Sequence, residues 1–328
     1  FQLSTTQYDI AEWYAERLSV SELFFLADVD TRIHKPILKA LKHKSSFGYS
    51  IKPSLQTFLN DPSGFFKYRL GAEGLLRFRP WDGASLIAGV EGYALNNIST
   101  VNEPLQDAIR TDLPLYKKKN VSLSRFMFNQ IQKTGSDTYG QLSGGFLETQ
   151  YAGVDAEIGR SFGDGRIMLS VSGSLVRKRE PGTLFDLKDG LNGRTYHTWF
   201  LNTRLNIPEW DTALDVKAGR FLGGDKGARI TVSKSFGGVV LYGWYSATDT
   251  SVFHDPLNRG YRDKGVGIQI PIRLFDGSDS RTVYSYSISP WTRDAAQDID
   301  HYNTIFDFIG RAAKIFLDKD KPLLYKQK

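Results

Sequence analysis

Six carboxylates, Glu73, Glu91, Glu148, Asp155, Glu157 and Asp215, fall mostly on the polar positions of segments that alternate between apolar and polar residues. Two carboxyl groups about 5 to 10 Å apart are what glycoside hydrolysis uses, one as acid and one as base or nucleophile. Any wall of ionised groups facing water would carry the same residue types, and the spacing singles out no pair. Bases share that parity: Lys67, Arg69, Arg77, Arg79, Arg204, Lys217, Arg229 and Arg273. Such a ladder has two uses. It braces a sheet through cross-strand pairs with Glu73, Glu91, Asp155, Glu157 and Asp215, or it sets a field favouring an acidic, hydrated glycan. Under the second reading, loop residues such as Phe185, Tyr261 and Arg262 grip sugar rings.

Other chemistries lack their residues. Gly223-Gly224-Asp225-Lys226-Gly227 has the glycines and lysine of a phosphate cradle, but no Ser or Thr follows the lysine and a strand follows instead of a helix. A tight turn at a sheet rim is the better reading. The five histidines (34, 43, 197, 254 and 301) have no metal-ligand spacing, and the absence of cysteine rules out disulfides, thiolate ligands and a thiol nucleophile. Gly173-Ser174 lacks the second glycine of a nucleophile elbow and sits within a strand. No catalytic residue, metal or cofactor is therefore expected, and the protein is read as not an enzyme. The net charge of +6 is spread singly along strands, unlike the concentrated patch of a nucleic-acid binder.

The elements that carry these residues are strands. Phe66, Tyr68, Leu70, Ala72, Leu76 and Phe78 fall on one face of a segment whose other face holds Lys67, Arg69, Glu73, Arg77 and Arg79. The pattern recurs in Gly48–Leu59, Phe65–Arg79, Ala84–Leu95, Val121–Gln132, Tyr139–Thr149, Ala152–Ser161 and Ile167–Arg177. It continues in Tyr196–Ile207, Ala213–Leu222, Ala228–Phe236, Val239–Thr248, Val266–Leu274 and Thr282–Trp291. Nothing else in the chain is apolar enough to cover so many oily faces, so lipid is the expected partner and a transmembrane antiparallel β-barrel of about 12–14 strands the expected fold. No run reaches the roughly 18 apolar residues of a membrane-spanning helix. The 43 aromatic residues (16 Tyr, 21 Phe, 6 Trp) suit interfacial girdles. Single-chain barrels have even strand numbers, so one of the thirteen segments is expected to be spurious or one missing. Val121–Gln132, where the alternation is muddled, is the weakest.

Short turn signals, such as Pro80-Trp81-Asp82-Gly83, Gly163-Asp164-Gly165, Pro208-Glu209-Trp210-Asp211, Gly237-Gly238 and Asp276-Gly277, alternate with long loops at 97–120, 181–194 and 251–263. Residues 1–45 read as a periplasmic α/β fragment, with a helix over 8–18, a strand over 20–28 and a helical turn over 36–43. Phe1 opens without a basic-then-apolar leader, which predicts a signal removed or lying upstream. Ile305, Phe308, Ile309, Ala312 and Phe316 mark an amphipathic helix over 302–318, followed by a basic tail. That helix is expected to lie in the periplasm or to plug the barrel.

Several strings then resemble one family. Ala218-Gly219-Arg220-Phe221-Leu222-Gly223-Gly224-Asp225-Lys226-Gly227 is similar to a signature of the YjbH/GfcD-type outer-membrane proteins of exopolysaccharide and capsule secretion. Ile109-Arg110-Thr111-Asp112 through Tyr116 and Phe146-Leu147-Glu148 through Val154 resemble two further segments, in order. Asp249 with Asp263-Lys264-Gly265 and Ile270-Pro271 resembles another. Arg293-Asp294 falls where the family has an R-D-G-G run, but Ala295-Ala296 replace its glycines. The resemblance covers residues 46–298 and implies longer proteins with an upstream barrel-like half and a lipoprotein signal. It marks Arg110, Asp112, Tyr116, Glu148, Gly219, Arg220, Gly224, Asp225, Lys226, Asp249, Asp263 and Lys264.

The combined expectation is a periplasmic fragment (1–45), an outer-membrane barrel (46–298), and a C-terminal helix with basic tail (299–328). The barrel forms or supports the portal through which a hydrated exopolysaccharide leaves. The expected partners are that polysaccharide, outer-membrane lipids and other components of the secretion complex, including an upstream barrel half, but no nucleic acid. Two alternatives stand beside it, a non-conducting adaptor of an exporter and a polysaccharide-modifying barrel enzyme. A soluble β-sandwich is the general rival.

Overall fold

Period-two alternation leaves each strand with one apolar and one polar face, and the sheet must curl to keep both satisfied. The computed structural model describes residues 3–4, 25–26, 46–61, 64–98, 105, 107–135, 137–189, 193–236, 239–272, 282–288, 294–309 and 315. At the N-terminus β1 (Leu3–Ser4) pairs antiparallel with β2 (Phe25–Leu26); the helices expected over 8–18 and 36–43 lie outside the described residues. One antiparallel meander follows. Its strands are β3 (Phe47–Asp61), β4 (Gly64–Phe78), β5 (Ala84–Asn96), β6 (Val121–Lys133), β7 (Thr138–Phe146), β8 (Tyr151–Phe162) and β9 (Ile167–Lys178). Next come β10 (Thr195–Ile207), β11 (Thr212–Arg220), β12 (Lys226–Phe236), β13 (Val239–Thr248), β14 (Lys264–Ile272) and β15 (Thr282–Ile288). Each pairs only with its sequence neighbours in a 13-stranded sheet.

The sheet is a barrel. Its edge strands β3 and β15 meet side by side, and the Thr57 and Tyr286 hydroxyls bond across the seam at 2.7 Å. The outward face is apolar: Leu142, Val154, Ile158, Val171, Leu201 and Val232 are all exposed. Strands β3 to β14 have 9 residues or more, enough for a tilted crossing of a bilayer, and β15 has 7 among the described residues. Exposed Trp81, Phe162, Trp210 and Phe236 ring the short-turn rim, and Phe65, Phe126, Phe185 and Trp199 the other. The three long loops emerge at that second rim, as expected. Phe185 stacks on outward Phe126 and Phe146, so it belongs to this girdle and grips nothing inside.

All thirteen expected strands are present among the described residues, and the weakest is regular. β6 pairs with β5 from Val121 to Gln130 and with β7 from Phe126 to Lys133; a bulge opposite Gly89/Val90 shifts the register and turns both Ser124 and Arg125 inward, buried. That bulge, not a false strand, muddles the alternation.

The parity puzzle resolves inside the barrel. β15 ends at the long-loop rim, and residues 294–309 then return through the lumen as a strap. Leu222 N–H donates to Gln297 O at 2.8 Å near the long-loop rim. The strap ends in α2 (Ile305–Ile309), which lies against β7 and β8 with Phe308 edge-on to Tyr139, centroids 5.6 Å apart, near the short turns. Thirteen strands and one lumenal return make an even number of traversals, so β3 begins and α2 ends at the same rim. The helix expected to lie in the periplasm or to plug the barrel lies on the inner wall over its described residues; 310–314 and 316–318 are outside them. The boundary expected at 298 falls within the strap.

Candidate lumenal site

The long-loop half of the lumen is a packed core. Inward Ile87, Met127, Val176 and Tyr196 cluster with Ile109, Leu222 and Phe253 from the loops and with Ala295 and Ile299 from the strap. Tyr196 points inward and meets Tyr151 edge-on, centroids 5.5 Å apart. The loop between β5 and β6 carries α1 (Leu113–Tyr116) and delivers Arg110, Asp112 and Tyr116 to this core.

Arg110 is the hub. Its Nη1 donates to Glu148 Oε1 at 2.5 Å and Gln150 Oε1 at 2.9 Å, and its Nη2 to Glu148 Oε2 at 3.0 Å and Asp298 O at 2.5 Å. Glu148 Oε2 also accepts the Asp300 N–H at 2.8 Å. Asp294 Oδ1 accepts the N–H groups of Arg110 (2.7 Å) and Thr111 (2.9 Å), while its own N–H donates to Asn258 Oδ1 at 2.8 Å. Asp225 Oδ2 accepts the Ala296 N–H at 2.8 Å. Asp112 pairs with Lys178 at 2.6 Å and Lys188 at 3.3 Å. The Tyr116 hydroxyl donates to Arg179 O at 2.6 Å. Burial pushes the Lys117 ammonium down to about 8.

Four strings scattered over 150 residues therefore converge on the root of the strap. Gly224 supports the turn before Asp225 with a left-handed φ of +95°. Gly219 presses against β10, where a Cβ would stand 2.0 Å from Trp199 O. Asp263 accepts from Arg229 Nη2 at 2.8 Å. Asp249 stands apart, accepting the Ser251 N–H at 3.0 Å in its own loop. Arg220, Lys226 and Lys264 point outward by register, and Arg220 contacts His197 on that outer face.

The inward ladder grips the strap instead of facing open water. Arg77 Nε donates to Tyr302 OH at 2.8 Å, Lys217 pairs with Asp298 at 2.6 Å, and Arg229 Nη2 donates to Ala296 O at 2.6 Å. Arg204 pairs with Asp215 at 2.5 Å and donates to Phe306 O at 3.0 Å. Glu157 accepts the Ile305 N–H at 2.9 Å. His301 bridges Asp155 (3.0 Å) and Asp298 (3.2 Å). Three other ladder members brace the wall. Arg69 is fully buried, lying 3.6 Å over the Tyr93 ring. Glu73 pairs with Lys52 at 2.9 Å, and Glu91 is its buried cross-strand neighbour. Lys67 is half-buried on the inner face, and Arg273 lies outside the described residues. Tyr261 packs on the core and Arg262 Nη1 caps Thr248 O at 2.6 Å, so neither reaches for a ligand.

Asp298, Asp300, His301 and Tyr302 were not legible as partners of this ladder. Their segment has no strand periodicity, so parity assigns it no face, although its three aspartates stand out against a basic wall. Between the strap and the β15–β3–β4 wall remains a cavity of about 770 Å³, lined in part by Lys52, Glu73, Glu91, Arg125 and Ser287.

The model of the YjbH family, described as exopolysaccharide biosynthesis protein YbjH, matches residues 11–311. The chain is 28% identical over 274 residues to the uncharacterized lipoprotein YjbH of Escherichia coli K12, covering 80% of this chain and 38% of that protein. It thus spans well under half the length of this curated relative. OmpT of Vibrio cholerae, in a loop L8 deletion form, aligns with a TM-score of 0.34 at 11% identity over 71% of this chain and 90% of its own. The in-vitro folded form gives 0.31 at 12% identity, over 68% and 80%.

Proposed function

The chain belongs to the YjbH family of exopolysaccharide biosynthesis proteins, and from that premise we propose that it is an outer-membrane barrel of an exopolysaccharide secretion apparatus whose lumen is closed by its own strap. The observation that carries this reading is how the strap is held. Over its described residues it joins no strand ladder; apart from the backbone bond between Leu222 and Gln297, side chains such as Lys217, Arg77 and Glu157 hold it. A segment bonded in that way can leave without breaking the wall, and a polar surface then lines the way for a hydrated glycan. Closed, the barrel conducts nothing; open, it is a portal. The proposal includes no chemical step.

A disulfide tests it cleanly, because the chain has no cysteine. A Cβ on Gly159 of β8 would stand 3.1 Å from Ile305 Cγ2, so cysteines at 159 and 305 are placed to lock strap to wall. Export of exopolysaccharide from cells carrying the locked variant is expected to stop under oxidising conditions and to return with reductant. Undiminished export with the strap locked would overturn the portal reading. It would favour a non-conducting adaptor, a second reading supported by the density of bonds at the strap root.

A further inference from the structure

Beside β13 the described inward residues of β11, β12, β14 and β15 are small, polar or charged, such as Asp215, Lys217, Thr231, Ser233, Gly267 and Ser287, and β13 departs from that. By register its inward residues are Tyr242, Trp244, Ser246 and Thr248, so two aromatic rings stand two residues apart on the lumenal face. Their centroids are 6.0 Å apart and their planes 25° from parallel. Directly opposite on β14 are two glycines, Gly267 facing Tyr242 and Gly265 facing Trp244. A Cβ at either position would come within 2.3 Å of ring atoms. The rings therefore lie down over the β14 backbone instead of standing into the lumen. Their tips are tethered. The Tyr242 hydroxyl bonds Ser287 on β15, and the indole N–H of Trp244 donates to Asp263 Oδ2 at 2.9 Å. Both residues keep part of their surface open.

Ser287 also lines the 770 Å³ cavity, so the ring pair adjoins it. Acids (Glu73, Glu91) and bases (Lys52, Arg125) share the cavity lining, which gives no preference for one sign of charge. Flat apolar faces beside a cavity lined with donors and acceptors match a ring with C–H faces and a hydroxylated edge.

We propose that Tyr242 and Trp244 form a stacking platform for an uncharged pyranose segment, its hydroxyls served by the adjoining cavity. The proposal rests on the glycan reading above and names its substrate class. The strap takes up Arg77, Arg204, Lys217 and Arg229, so stacking, and not charge, recognises the chain.

The test is saturation-transfer NMR and titration of the full chain, folded in a detergent without a sugar headgroup, with maltohexaose, mannohexaose and, as the acidic probe, a hexagalacturonate. At least one uncharged hexasaccharide is expected to bind, with its C–H protons saturated and its affinity indifferent to salt. Trp244→Ala and Tyr242→Ala are expected to weaken it about tenfold each, and Trp244→Phe, which keeps a ring, about threefold. Heat-modifiable migration confirms that each variant is folded. Unchanged affinity in Trp244→Ala, or salt-sensitive binding of the acidic probe alone, would overturn the platform and leave glycan export standing. Binding of no probe would overturn it too, while the disulfide experiment judges export independently.

Discussion

At the scale of single residues, the Arg110–Glu148 pair is buried and bidentate. Removing one partner of such a pair leaves a charge stranded, which costs about 3–5 kcal/mol. Arg110→Ala is therefore expected to lower the denaturation midpoint and expose the strap to protease, with Glu148→Gln milder because the amide keeps an acceptor. Ala296 holds a φ of +58°, a conformation costing a non-glycine residue about 1–2 kcal/mol, where the family resemblance has glycine. Its methyl packs on Phe200 and Phe221, offsetting part of the relief. Ala296→Gly should shift stability by less than about 1 kcal/mol, and Ala296→Val should destabilise by more than about 2 kcal/mol; urea unfolding measures both. Lys117 gives a pH signature. Its folded value of about 8 lies below its ordinary 10.5, so between those values the unfolded chain holds a proton that the fold has released. This group by itself makes stability rise with pH across that window. The pH slope of stability in Lys117→Met is therefore expected to lie below the parent's there; equal slopes would mean that Lys117 does not contribute.

At the scale of elements, strands were legible and the strap was not. Alternation at Phe66–Phe78 and Ile167–Leu175 placed every side chain of those strands on its observed face, because a strand's period needs no partner to be read. The same parity put Lys217 and Arg204 inside, yet gave no hint of what they meet. Asp298 lies 81 residues beyond Lys217, in a segment with no regular period. The family strings were legible as a set, but Asp225 and Arg110 join it through Ala296 and Asp294, and only the fold brings those together. Removing residues 294–328 tests the element as a unit. The wall keeps its ladder hydrogen bonds, so the truncated barrel should still insert in a planar bilayer, and its conductance should exceed that of the full chain. Equal, silent traces would mean that something besides the strap closes the lumen.

At the scale of the whole molecule, the apolar belt makes the bilayer part of the fold. An arginine on the lipid face at mid-depth costs about 2–4 kcal/mol. Leu201→Arg, on the exposed face of β10, should depress folding into lipid vesicles by that amount. The seam is the weak line of the barrel: β3 and β15 terminate the ladder order and share a side-chain bond through Thr57 and Tyr286.

The strap and the barrel are one chain, and only a short connection separates Ile288 at the end of β15 from Asp294 at the strap root. A closing element tethered so closely re-encounters its seat at an effective concentration on the order of millimolar or more. Its return is unimolecular and independent of how many copies the membrane holds. A gate of the kind proposed would be self-resetting: it would stay open only while a translocating polymer, or something that captures the freed strap, opposes recapture.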